Sequence, residues 1–347
     1  MRNFQILLIV FFMFFSVESL YGDQRNYNVG LRHVETLFQP ENVKIHMMVW
    51  YPSSEQAQKN KVGPFEVYVA RNSKVEPGKR DLLLISHGDG GSHLLHRDTA
   101  LYLAKKGFIV VTILHPHNNY ADNSAEGTHQ NWVNRPIHIS KAIDTLLTHH
   151  EFKNVINNKN IAIVGFSAGA YTALSLVGGV ADTSNVRAHC EKHPDDSRFC
   201  RNYGLSSKNQ IELPSKKKNN NTVIKNSHDK RIKAAVLMAP VGVLFIDRES
   251  LSNVKVPVRI YRAEKDKTLH FPYHAEFIKD SLPTLPEYIV VKNAGHHSFI
   301  SPYPERMKSQ LGEIAIDPKG FDRKKFHLKM NQEIANFLSR ALHNSNN

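Results

Sequence analysis

The chain has 347 residues, and 41% of them are hydrophobic, enough for an ordinary core, which argues against wholesale disorder. That length suits one large α/β domain with insertions or two small domains. Lys and Arg outnumber Asp and Glu by 45 to 32, a net charge of +13. With no nucleic-acid recognition motif in the chain, this charge reads as a soluble basic surface or as affinity for an anionic membrane surface.

Residues 1–22 read as a secretory signal peptide. Arg2 supplies the positive start, Ile6 to Phe15 an apolar core, and small residues follow at Ser16, Ser19 and Gly22. The apolar run is shorter than the ~20 residues of a membrane span. A cleaved leader is therefore favoured over an uncleaved anchor, and the mature chain, 23–347, is expected to be secreted or periplasmic.

Val43 to Trp50 alternates and then turns fully apolar, which predicts a strand of an antiparallel edge or opening hairpin, ended by Tyr51-Pro52. Residues 53–64 are polar and lead to a short strand at Phe65 to Val69, with a turn at Pro77-Gly78. Leu82 to Ile85 is a buried type of strand. The glycine-rich loop His87-Gly88-Asp89-Gly90-Gly91 follows it, then a helix from about His96 to Lys106 that Gly107 stops. Phe108 to Leu114 is another apolar strand. Buried strands alternating with helices predict an α/β fold, a mostly parallel sheet covered on both faces.

Residues 115–134 read as a long polar loop with Trp132 as a candidate pocket wall or a packing residue. Pro136 fits the first turn of the next helix, whose apolar face is Ile139, Ala142, Ile143 and Leu146.

Ile161 to Val164 is a strand, and a helix follows Gly165-Phe166-Ser167-Ala168-Gly169. G-x-S-x-G between a strand and a helix describes a sharp turn that pushes a serine hydroxyl out at the carboxyl end of a sheet. Ser167 is the expected nucleophile.

Residues 181–230 form an insertion rich in Lys, Asn and Ser, with a solvated stretch near 206–228. It carries Cys190 and Cys200. An even pair close together in an exported chain suggests a disulfide, while His189 and His193 keep a metal reading open. Arg231 to Ala239, Val256 to Arg262 and Tyr288 to Val291 return to the sheet, and a helix from about 323 to 343 closes the chain.

A serine hydroxyl needs a base, and the base an orienting acid. In this fold class they follow the serine in the order acid, then histidine. Asp266 stands just beyond the Val256 to Arg262 strand, with Glu264 and Asp247 as alternatives. His296 stands in a small-Gly-His turn after the last strand; its neighbour His297 is expected to point elsewhere. The backbone N–H groups of Ala168 and Asp89 are the expected oxyanion donors.

With these residues in place the chain resembles the predicted dienelactone hydrolases, bacterial relatives of platelet-activating-factor acetylhydrolases and polyester hydrolases in the α/β-hydrolase superfamily. The matching residues include Trp50-Tyr51-Pro52, Ser86-His87-Gly88, Arg135-Pro136, Gly165 to Gly169, Cys190 with Asp195-Asp196 and Cys200, Gly295-His296, and Gly320-Phe321-Asp322-Arg323. The resemblance implies a single α/β-hydrolase domain and a Ser-Asp-His esterase or lipase-like enzyme that uses no metal or other cofactor. Its substrate would be a small-molecule or lipid ester. Departures from the pattern fall at Phe166, His138 and Asp89. A non-catalytic binding or adhesion protein on the same scaffold is the alternative.

Overall fold

The computed structural model describes residues 26–203, 222–225 and 227–343. The expected signal peptide lies outside them, as does most of the Lys/Asn-rich stretch. No helix among the described residues is long and apolar enough to cross a membrane.

The chain opens with two antiparallel hairpins. In the first, β1 (Asn28–Phe38) pairs with β2 (Val43–Ser53) in a register that sets Phe38 against Val43 and Asn28 against Ser53. In the second, β3 (Gln58–Val62) pairs with β4 (Phe65–Arg71). The second hairpin places a strand inside the polar stretch 53–64. Gln58-Lys59-Asn60-Lys61 carries no apolar face because β3 is the outermost strand and most of its side chains meet solvent. Strand β2 also runs through Pro52 rather than ending there. Its pairing with β6 stops at Trp50, so a proline two residues on interrupts no ladder on that side.

The parallel part then follows: β5 (Arg80–Ser86), α1 (Arg97–Lys105), β6 (Ile109–Leu114), α2 (His129–Thr148), β7 (Ile156–Phe166) and α3 (Ala168–Leu176). After the short β8 (Ala181–Asp182), α4 (Ser184–Lys192), α5 (Ser197–Tyr203) and β9 (Val223–Ile224), the sheet resumes with β10 (Ile232–Met238). It ends with β11 (Val258–Ala263), α6 (Ala275–Ser281), β12 (Glu287–Val291), α7 (Glu305–Leu311) and α8 (Arg323–His343). The ten-stranded sheet has the order β12-β11-β10-β7-β5-β6-β2-β1-β4-β3. From β12 to β6 every pairing is parallel; β2 joins β6 antiparallel.

The period of two along each central strand splits the core into two layers. Leu82, Leu84, Ile161 and Ile163 point to the α2 and α3 face, where Ile139, Ile143, Leu146 and Leu174 cover them. Leu83, Ile85, Ala162 and Val164 point the other way, onto Ala100, Leu103, Ile334 and Phe337 of α1 and α8. Nearly continuous apolar strands are what this double covering requires.

Two expectations for the region before β7 need correction. The loop is shorter than expected, because Thr128 caps α2 through its side chain and the helix starts at His129. Pro136 therefore lies inside α2, not in its first turn. It has no N–H to give the carbonyl of Trp132 four residues earlier. That carbonyl accepts the hydroxyl of Tyr171 from α3 at 2.8 Å instead. Trp132 is fully buried against Tyr171 and Tyr203, so it is a packing residue.

Cys190 and Cys200 are disulfide-bonded, which removes the thiolates from the metal reading. The bridge joins α4 to α5, and Cys190, Phe199, Cys200 and Tyr203 are all part of the α2-side core. His189 donates to a buried carboxylate, Asp196, at 2.9 Å.

Candidate active site

The turn from β7 into α3 is built for close approach. Ser167 adopts φ +55° and ψ −119°, a region that side-chain-bearing residues avoid. It is held there by its N–H, which donates to the Met238 carbonyl of β10 at 2.9 Å. A Cβ on Gly165 would lie 2.1 Å from the Gly169 carbonyl oxygen, and one on Gly169 would lie 2.0 Å from the Ser86 carbonyl oxygen. Both glycines are therefore required if α3 is to leave the sheet so steeply.

The structure brings Ser167 together with the two residues chosen from later loops. His296 Nε2 lies 3.1 Å from Ser167 Oγ, and His296 Nδ1 lies 2.8 Å from Asp266 Oδ2. Asp266 sits in the turn after β11. Its second oxygen accepts the N–H groups of Thr268 at 2.8 Å and Leu269 at 2.9 Å. Burial would raise the Asp266 carboxyl; the His296 charge and hydrogen bond and the two N–H donors outweigh it and hold the group below the ordinary aspartate value.

The other candidates lie elsewhere. Glu264 pairs with Lys292 and accepts the Asn293 N–H, and Asp247 caps a short helical turn through the Glu249 N–H. His297 lies beside the site with its ring perpendicular to that of His296, and burial depresses it to about 3.

Ser167 and His296 open into a cleft of about 470 Å³. Its near wall is the Gly88 to Ser92 loop, and its far side includes Arg201, Tyr203, Tyr303 and Ile314. The N–H groups of Asp89 and Ala168 have no acceptor among the described residues. The Asp89 carboxylate accepts the hydroxyl of Tyr203, at the end of the disulfide segment. Glu126, across from it, is raised to about 7 by burial and then by the Asp89 charge.

Three groups that sequence reasoning missed hold this wall in place. Arg135, fully buried in α2, donates to the carbonyl of His87 and to Asn118, and it reaches Ser86 Oγ at 3.3 Å and Thr172 Oγ1 at 3.1 Å. One guanidinium thus ties the glycine-rich loop to the 115–128 loop and to α3. Burial lowers Arg135 to about 10 against the opposing charge of Asp89, and no carboxylate among the described residues forms an ion pair with it. The imidazoles around it, His87, His115 and His138, are pushed down by burial and then by its charge, so they stay neutral. Asp196 accepts both His189 and His274 at 2.9 Å and the His270 N–H at 3.3 Å, which ties the disulfide segment to the loop that carries Asp266. Tyr203 links the same segment to the glycine-rich loop. The sequence signals for Arg135 and Asp196 were the Arg135-Pro136 and Cys190 to Cys200 stretches, and Tyr203 lies outside both.

No family model and no curated protein matches the chain. Its structure is similar to that of a ferulic acid esterase from Streptomyces cinnamoneus, with a TM-score of 0.63 and 15% sequence identity over 91% of each chain. That likeness shows the α/β-hydrolase type of fold.

Proposed function

We propose that the chain is an exported serine hydrolase that cleaves carboxylic esters of lipid, acetyl-ester or lactone type. The observation that carries the reading is the continuous hydrogen-bonded line from Ser167 through His296 to Asp266, set at a strained strand-to-helix turn.

In this reading the Ser167 oxygen attacks the ester carbonyl carbon while His296 Nε2 takes the hydroxyl proton. Asp266 fixes the ring with Nδ1 protonated and stabilises the imidazolium. The N–H groups of Ala168 and Asp89 receive the charge that develops on the carbonyl oxygen. The tetrahedral adduct collapses as His296 returns the proton to the leaving alcohol. Water then repeats the sequence on the acyl-serine and releases the acid. The leader-like residues 1–22 and the disulfide support an oxidising, exported setting.

The test is turnover of a short p-nitrophenyl ester together with labelling by a fluorophosphonate. The wild-type protein is expected to do both, and Ser167→Ala neither. An unlabelled, inactive wild type would transfer the fold to the binding-protein reading. Equal activity in Ser167→Ala would place the chemistry elsewhere.

A further inference from the structure

We infer that His33, Glu35 and His46 form a binding site for a divalent zinc-class ion on the β1–β2 hairpin, outside the proposed ester site. His33 and Glu35 are two residues apart on β1 and so share one face of the sheet. The register pairs Glu35 directly with His46, and it pairs His33 with Met48, two residues from His46. The three side chains thus meet on one face, supported by backbone ladders on both sides of β2.

The donor atoms have the spacing that an ion asks for. His46 Nδ1 lies 3.3 Å from His33 Nε2 and 3.5 Å from Glu35 Oε2. Two metal–ligand bonds of about 2.0–2.1 Å at a tetrahedral angle separate their donors by about 3.3–3.4 Å. All three donor atoms lie within 4.8 Å of one another. Lys44 engages the other oxygen, Oε1, and leaves Oε2 turned toward the imidazoles. Two imidazole nitrogens and one carboxylate oxygen form a borderline donor set. It suits zinc, nickel or copper(II) better than calcium or magnesium, which prefer all-oxygen shells. A fourth position remains for water.

The alternative is that the imidazoles share a hydrogen bond, since their rings stack at 5.3 Å. Calorimetric titration with zinc chloride separates the two. It should use the full purified chain without a polyhistidine tag, because other histidines on its surface set a weak background. The expected result is one saturable site, weakened at least tenfold in both His46→Gln and Glu35→Gln. Cobalt(II) should give the visible absorption of a four-coordinate site in wild type and lose it in the variants. All three side chains are at least partly exposed, so the metal-free variants should melt as wild type does. Absence of a saturable site, or affinity undiminished in both variants, overturns the inference.

Discussion

Asp266 keeps its charge in a place that disfavours it, because His296 and two backbone N–H groups outweigh the cost of burial. A carboxyl depressed in this way adds stability above its ordinary pKa, and that stability is lost as the pH falls through the folded value. Asp266→Asn keeps the shape, but its amide can present N–H to His296 and favour the wrong tautomer. Steady-state kinetics should show kcat reduced by ~10³–10⁴. Glu126 has the opposite sign. Its folded value, about 7, stands above the ordinary glutamate value of 4.5, so the folded state holds a proton that the unfolded chain releases. Its contribution to stability should fall as the pH rises from about 4.5 to about 7. Thermal melts should show Glu126→Gln gaining on wild type across that window; parallel curves would remove the effect. Ser167 was legible from G-x-S-x-G between a strand and a helix, and Asp266 and His296 because each sits in a turn shortly after an apolar strand. Arg135, Tyr203 and Asp196 were not, because no motif marks their roles, and the contacts to His87, Asp89 and His274 that define those roles, 48, 114 and 78 residues away, form only in the folded chain.

Helix α2 carries a proline that the sequence alone misplaced. Apolar spacing places Pro136 in the first turn, where a proline costs least, whereas the Thr128 cap starts the helix at His129, seven residues sooner. What makes this tolerable comes from another element, since the Tyr171 hydroxyl occupies the carbonyl that Pro136 leaves open. Tyr171→Phe should strand that buried carbonyl and cost ~1–3 kcal/mol in denaturant unfolding. In a Pro136→Ala background the new N–H can reach the same oxygen, and the cost of Tyr171→Phe should shrink. Equal costs in both backgrounds would show that the Tyr171 bond does not compensate for the proline. The central strands were readable as apolar runs because both of their faces are buried. Strands β1 and β3 were not: β1 has an interrupted pattern with charged residues on its open face, and β3 takes its place from its partner rather than from side chains of its own.

Across the whole molecule, the sheet gathers the serine, acid and histidine turns at one carboxyl edge, while the disulfide segment braces two of the loops there. Among the described residues the sheet stops at β3, whose exposed Lys59 and Lys61 stand on its outer strand. An outermost strand has a row of backbone N–H and C=O groups with no neighbour, and a second molecule could extend the ladder by docking there. Lys59 is paired with Glu66 of β4 at 2.9 Å, but a like strand would still have to bury both the ion pair and Lys61 against the same groups, which makes such a junction costly. Replacing both with threonine should let the rims of separate molecules join. Sedimentation velocity should then show larger species that grow with protein concentration beyond any seen for wild type. The same lysines that hid this strand from a reading of hydrophobic pattern would thus have to be buried by any second molecule that joined the rim.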